Sequence, residues 1–334
     1  MINVAVIGLG YWGPNFVRNF IRHPDFEIKW ACDVSENALT KIHQLFPQIQ
    51  LTQNYQDIFK DVSVDLVMIV TPPETHFEIA KMALKHQKHV IIAKPITLRS
   101  KQARMLLKLA QKQQLLLYGD LTYLYTGAVE YLQKFIKNGR LGIPLYYDST
   151  RTNLGLLQKE VNVMWDLAPH DLAIIDYCFK IFPKKILATA SHNFEASKNF
   201  EMAHITLEYD NGFTAHIHVS WVSPIKLRTV LIGGSNKMIF FDDIEPDEKI
   251  RIYDKGIDIS EDDITYMKPI YRNGDVLIPK LSNEEAIYQE LDEVAKQLKS
   301  KKISYENALM NIRIVEILEA CDKSIRSGKK ILLK

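Results

Sequence analysis

Val4-Ala-Val-Ile7 runs directly into Gly8-Leu-Gly10-Tyr-Trp-Gly13, and 20 residues past the last glycine stands an acid, Asp33. This is the spacing of a dinucleotide-binding βαβ unit. One glycine makes the tight turn, the second lets backbone approach a pyrophosphate, and the third lets the helix pack on the strand. Helix-end N–H groups then face the anion, and Pro14 suits a first helical turn that needs no donor there. Glu27–Cys32 reads as the second strand, with Asp33 at its carboxyl end to accept from an adenosine 2′-hydroxyl. A carboxylate at that point repels a 2′-phosphate and no Arg follows it directly, so NAD is the expected cofactor. Tyr11 and Trp12, inside the turn, are expected beside it.

The rest of the composition narrows the class. At 334 residues, 47% hydrophobic and 25% charged, the chain is long enough for two domains and can bury a sizeable core. Forty-two basic against 40 acidic residues, with no basic block, give no reason to expect nucleic acid or a polybasic membrane surface. No uncharged stretch reaches membrane-spanning length and no signal-peptide pattern opens the chain. Cys32, Cys178 and Cys321 are odd in number and lack CxxC spacing, so a cytoplasmic location is expected, without disulfides or a thiolate zinc site.

Outward from the glycine turn, residues 1–120 alternate short apolar runs (4–7, 27–32, 66–70, 90–92, 115–117) with helical periods. That predicts an α/β Rossmann domain with a parallel sheet. Helices are expected near 128–138 and 166–179. After residue 185 the period becomes two, which predicts that 121–334 form an α+β domain with a large open, mostly antiparallel sheet. Two strands there meet at Asp210-Asn-Gly212. A three-residue loop with Gly212 left-handed pairs Leu207 with Ala215 and sets His204 opposite His218. The histidines of this polar face suit solvent or a subunit interface better than a metal, because no carboxylate follows at ligand spacing. Two more helical patterns cover 286–298 and 308–325. Residues 254–284, charged and weakly periodic, read as a surface excursion, either a lid or a loop.

Chemistry-bearing residues stand at the expected strand ends. Thr71-Pro-Pro-Glu-Thr-His76 follows the run 66–70, which suggests the nicotinamide side of the cofactor; equally, the prolines stop the strand and His76 begins a helix. Lys94-Pro95 follows the run 90–92, where an ammonium can be held against a substrate oxygen. Asp166 and His170, four residues apart, share one face of a helix's first turns. Histidine has the pKa to take a hydroxyl proton near neutrality, although Asp166 could instead be a helix cap.

Taken in order, the glycine turn, Thr71-Pro72 with His76, Lys94-Pro95 and Asp166-x-x-x-His170 resemble the Gfo/Idh/MocA family of sugar and polyol oxidoreductases over nearly the whole chain. The resemblance implies His170 as proton acceptor, with Lys94 and Asp166 positioning the reacting hydroxyl, and a homo-oligomer, dimer or tetramer, joined through the second sheet. One departure is Ala93, where the family's Glu-Lys-Pro motif has Glu. The strings Arg151-Thr-Asn-Leu-Gly155 and Val161–Asp171 are similar to a branch associated with surface-polysaccharide biosynthesis, which includes UDP-N-acetylglucosamine 3-dehydrogenases. That branch implies NAD-dependent oxidation of a sugar nucleotide, with Tyr125, Arg151, Asn153 and Asn162 as substrate contacts. A free-polyol or inositol dehydrogenase, a 3-ketoreductase and a non-catalytic NAD-sensing regulator are the alternatives.

Overall fold

A computed structural model of the chain describes all residues except 156, 193, 195–198, 259–269 and 334. The first run of apolar segments forms strands β1 (Ile2–Ile7), β2 (Phe26–Cys32), β3 (Gln50–Thr52), β4 (Leu66–Ile69), β5 (His89–Ile92) and β6 (Leu117–Gly119). Between them run helices α1 (Gly13–Arg22), α2 (Glu36–Leu45), α3 (Tyr55–Lys60), α4 (Pro73–Lys85) and α5 (Ser100–Gln113). The strands pair in the parallel order β3-β2-β1-β4-β5-β6. Every residue of β4 is buried, as a strand covered by helices on both faces must be. The last strand starts two residues later than expected because Gln114, left-handed at φ 57°, ends α5 and Leu115 N–H still donates to Ala110.

The remaining elements are α6 (Gly127–Lys137), β7 (Pro144–Leu154), α7 (Val163–Phe179), β8 (Lys185–Ser191), β9 (Met202–Glu208), β10 (Thr214–Ser220), β11 (Val222–Gly234), β12 (Met238–Asp242), β13 (Ile250–Asp258), β14 (Ile270–Leu277), α8 (Ala286–Ser300), α9 (Glu306–Ser327) and β15 (Ile331–Leu332). Among the described residues the second sheet is ordered β14-β13-β12-β11-β7-β10-β9-β8-β15. All its pairings are antiparallel except β10 with β7. The period-two register holds residue by residue: Leu207 lies opposite Ala215 and His204 opposite His218, with Gly212 at φ 81° in the turn. Tyr147, Ala215, Ile217, Ile205 and Leu207 are buried on the face that α7 covers.

The expected surface excursion at 254–284 is corrected where it is described. Strands β13 and β14 pair with each other, Gly256 opposite Arg272 and Ile252 opposite Leu277. Their charged side chains blur the periodicity because they are used across the strands: Asp254 bonds Lys237 at 2.7 Å and Arg272 at 3.1 Å. The middle of that stretch, 259–269, lies outside the described residues.

By packing, the chain forms two compact units, Met1–Tyr125 with Glu284–Glu316, and Thr126–Asn283 with Ile317–Lys334. The first takes in α8, whose Ile287, Leu291, Val294 and Ala295 join the core of Val4, Phe16, Phe20 and Phe26. Among the described residues no helix is long and apolar enough to cross a membrane.

Candidate active site

In the first unit, the candidate residues gather along the carboxyl ends of adjacent strands. Gly8 follows β1 at φ 99°, and a Cβ there would lie 2.5 Å from the carbonyl carbon and oxygen of Val70. Only glycine fits so close to the end of β4. A Cβ on Gly13 would stand 2.2 Å from Gly8 O, whereas one on Gly10 would meet nothing within 4 Å. The turn is therefore closed on the side of the sheet and open above Gly10. Asp33 holds it from beside β2: one carboxylate oxygen accepts from Leu9 N–H at 2.6 Å and the other from Ser35 N–H at 2.8 Å. No side chain caps α1 at Trp12, and Tyr11 is 89% exposed beside the half-exposed Trp12.

At the end of β4, Thr71 Oγ1 shares a hydrogen bond with Thr75 Oγ1 at 2.6 Å, and Pro72 precedes the first residue of α4. His76 is fully buried. Its Nε2 lies 2.7 Å from Thr71 O and its Nδ1 2.9 Å from Pro95 O. Burial pushes its pKa down against the pull of those two carbonyls. A side chain so enclosed ties the Thr71-Pro72 turn to the Lys94-Pro95 turn and has no surface left to offer a ligand, which corrects the expected direct contact with the cofactor. Lys94 is half-buried just past β5, and its bond to Pro95 is cis.

In the second unit, α7 carries the other candidates. It starts three residues before the expected point, because Asn162 Oδ1 accepts from the N–H groups of Met164 and Trp165 at 3.0 and 3.1 Å. Asn162 is therefore the cap and Asp166 is not. Thirteen of the 17 residues of α7 are buried, and in its first 13 only Asp166 and His170 retain exposure. A helix interred in apolar packing leaves those two polar groups facing out on one stripe. Trp221 Nε1–H donates to Asp166 at 3.1 Å, fixing the carboxylate. Sequence reading missed this partner, since a strand-end tryptophan 55 residues away gives no local signal.

The implied substrate contacts divide. Arg151 is 2% exposed and its Nε donates to the buried Asp171 at 3.0 Å, where Tyr147 also donates at 3.0 Å. It belongs to a buried ion pair, which corrects its reading as a substrate contact; Asn162 is half-buried and uses its Oδ1 to cap α7. Asn153 is half-buried on β7. Tyr125 shares a hydrogen bond with Tyr118 in the first unit. The polar-face histidines stack instead of converging: His204 and His218 lie 4.3 Å apart at 10°.

The turn suits a dinucleotide on this geometry. The space above Gly10, the uncapped start of α1 and the 2′-hydroxyl acceptor at Asp33 are the parts that an NAD pyrophosphate and ribose require. Comparison with known proteins agrees. Residues 2–120 match the sequence model of an oxidoreductase family described as NAD-binding Rossmann fold, and residues 129–240 match the GFO/IDH/MocA C-terminal domain. The oxidoreductase YdgJ of Escherichia coli K12 is 23% identical, covering 98% of this chain and 96% of its own. The dTDP-3,4-didehydro-2,6-dideoxy-α-D-glucose 3-reductase of Saccharopolyspora spinosa is 23% identical over 68% of this chain and 74% of its own. Among solved structures, the UDP-N-acetylglucosamine 3-dehydrogenase GnnA of Acidithiobacillus ferrooxidans superposes with a TM-score of 0.82 at 19% identity, covering 98% of both chains.

Proposed function

The chain belongs to the Gfo/Idh/MocA oxidoreductase family, with an NAD-binding Rossmann domain, and from that membership we propose that it oxidises a secondary hydroxyl of a sugar nucleotide, the 3-hydroxyl of UDP-N-acetylglucosamine. The observation that carries this reading is the pair Asp166 and His170, left as the polar stripe of a helix whose first 13 residues are otherwise buried. The fold shared with GnnA and the likeness to a sugar-nucleotide 3-reductase support this choice of substrate class and carbon. In this reading residues 1–120 hold NAD and residues 121–334 take the sugar.

Bound NAD supplies the hydride acceptor. His170 takes the hydroxyl proton as the C3–H bond breaks, so the O–H electron pair becomes the second bond of the new C=O. Lys94 donates to the oxygen while negative charge builds on it, an effect worth about 3 kcal/mol for one preorganised donor. Asp166, held by Trp221, orients the hydroxyl. With the proton running from His170 instead, the same groups serve 3-keto reduction, the direction named in the Saccharopolyspora relative. Copies of the chain associate through the open sheet's outer face, where Leu231 of β11 is 47% exposed and the stacked His204 and His218 stand on β9 and β10, beyond β7.

The test is absorbance at 340 nm with NAD and, in turn, UDP-N-acetylglucosamine, free N-acetylglucosamine and myo-inositol. NADH formed with the nucleotide sugar alone supports the proposal; NADH formed with myo-inositol alone replaces it with a polyol dehydrogenase. No NADH formed from any of the three, and none consumed with the 3-keto sugar nucleotide, by a protein that binds NAD, favours the regulator.

A further inference from the structure

At the carboxyl end of β6 two carboxyl groups meet. Asp120 is half-exposed there, one strand over from the Lys94 turn, and its N–H donates to Ile92 O at 2.7 Å. Glu290, on α8, is 1% exposed. Its Oε1 accepts from Leu121 N–H at 3.0 Å, and its Oε2 lies 3.1 Å from Thr122 Oγ1. The same Thr122 hydroxyl is hydrogen bonded to Asp120 Oδ1. A hydroxyl has one proton to give. It can satisfy both carboxylates only if one of them returns a proton to its oxygen, and the buried Glu290 is the one with reason to stay neutral. Burial first, and Asp120 second, hold Glu290 well above the usual carboxylate range. Among the described residues Tyr118 on β6 also faces Glu290, and Tyr118 is itself met by Tyr125 at the end of the 3-10 turn Thr122–Tyr125 and by Glu293, one turn along α8. From α9, Asn307 and Asn311 hold Gly119 through neutral hydrogen bonds.

Strand order places this pair relative to the cofactor. Asp33 and the glycine turn assign the adenosine half of NAD to the ends of β1 and β2, so the nicotinamide half falls over β4, β5 and β6. The nicotinamide ring is positive in NAD⁺ and neutral in NADH. We propose that the chain Glu290–Thr122–Asp120 senses this charge: it keeps its one shared proton beside neutral nicotinamide and releases it to solvent through Asp120 when the positive ring binds. Affinity is thereby weighted toward NAD⁺ as pH rises. The inference rests on the placement of the cofactor halves and not on which sugar is oxidised.

Calorimetric titration of the cofactor-free full-length protein with NAD⁺ and with NADH, from about pH 6 to about pH 9 in buffers of different ionisation enthalpy, reads the linked proton directly. NAD⁺ binding releases a proton and NADH binding does not. The ratio Kd(NAD⁺)/Kd(NADH) falls with pH by at most about tenfold per pH unit, the limit for one proton. In Glu290→Gln the amide donates to Thr122 and its carbonyl accepts from Leu121, so the bonds persist, the differential release vanishes and the ratio becomes flat. Equal proton release with both cofactors in the wild type overturns the proposal even if Glu290→Gln does not fold, and so does an unchanged pH slope in a folded Glu290→Gln. Binding of neither cofactor overturns it together with the NAD reading.

Discussion

Gly10→Ala separates the two jobs of the glycine turn. At Gly8 an added Cβ would overlap backbone at the end of β4 within 2.5 Å, and its φ of 99° would strain any L-residue. Gly8→Ala should therefore lose stability and NAD together. At Gly10 the Cβ has no neighbour within 4 Å and φ is not in the left-handed range. The fold should accept alanine there and gain about 0.4–1 kcal/mol from the less flexible unfolded chain. The methyl instead fills the space where the pyrophosphate must approach. Overpacking of that size costs about 1–3 kcal/mol, or roughly 5- to 150-fold in Kd. Thermal midpoints of the cofactor-free proteins and calorimetric titration with NAD measure both effects. Gly10→Ala binding NAD as the wild type does, with an unchanged midpoint, would refute the placement of the cofactor over this turn.

Lys94→Ala should cut kcat about 10²–10³-fold while NAD affinity and thermal midpoint stay near wild type; a lost midpoint would show the lysine to be structural. Arg151→Met leaves the Asp171 carboxylate buried without its cation and should cost about 3–5 kcal/mol in urea unfolding. Adding Asp171→Leu to it should recover much of that loss, which a substrate-contact role for Arg151 does not foresee. Burial pushes the thiols of Cys32 and Cys178 up to about 12 and that of Cys321 up as well. A thiol reagent should thus modify none of the three until the protein unfolds. Glu290 has a raised native pKa against an ordinary 4.5. Below 4.5 its contribution to stability is complete, and it is lost as pH rises toward the native value. The stability of the cofactor-free wild type relative to Glu290→Gln should fall with pH across that window; parallel curves would show that Glu290 is not protonated in the fold.

Local patterns made much of this legible from residues alone. The glycine spacing and Asp33 locate the first strand-turn-helix because backbone sterics tie each residue type to one position. The period-two runs set the register of β9 and β10, since a one-residue slip would bury the histidines and expose the leucines. The roles that changed were those decided by distant partners. Nothing near Arg151 in sequence announces Asp171, 20 residues on, as its ion-pair partner, and nothing near His76 announces that Pro95 O will face its ring. Trp221 reaches Asp166, and Glu290 reaches Asp120, only after sheets and helices have closed. Residues 250–257 and 271–277 look irregular as a string because Asp254 there pairs with Lys237 and Arg272 on other segments, which a linear reading cannot register.

Hydride transfer from C3 of a nucleotide sugar would leave an isotopic trace in the cofactor. UDP-N-acetylglucosamine deuterated at C3 and incubated with the protein and NAD⁺ tests it in one step, with mass spectrometry of the nicotinamide recovered after denaturation, so that retained cofactor is counted. Deuterium should appear in the NADH, with a 3-keto sugar nucleotide in equal amount. Unlabelled NADH, or none at all under conditions where NAD⁺ binds, would contradict that transfer.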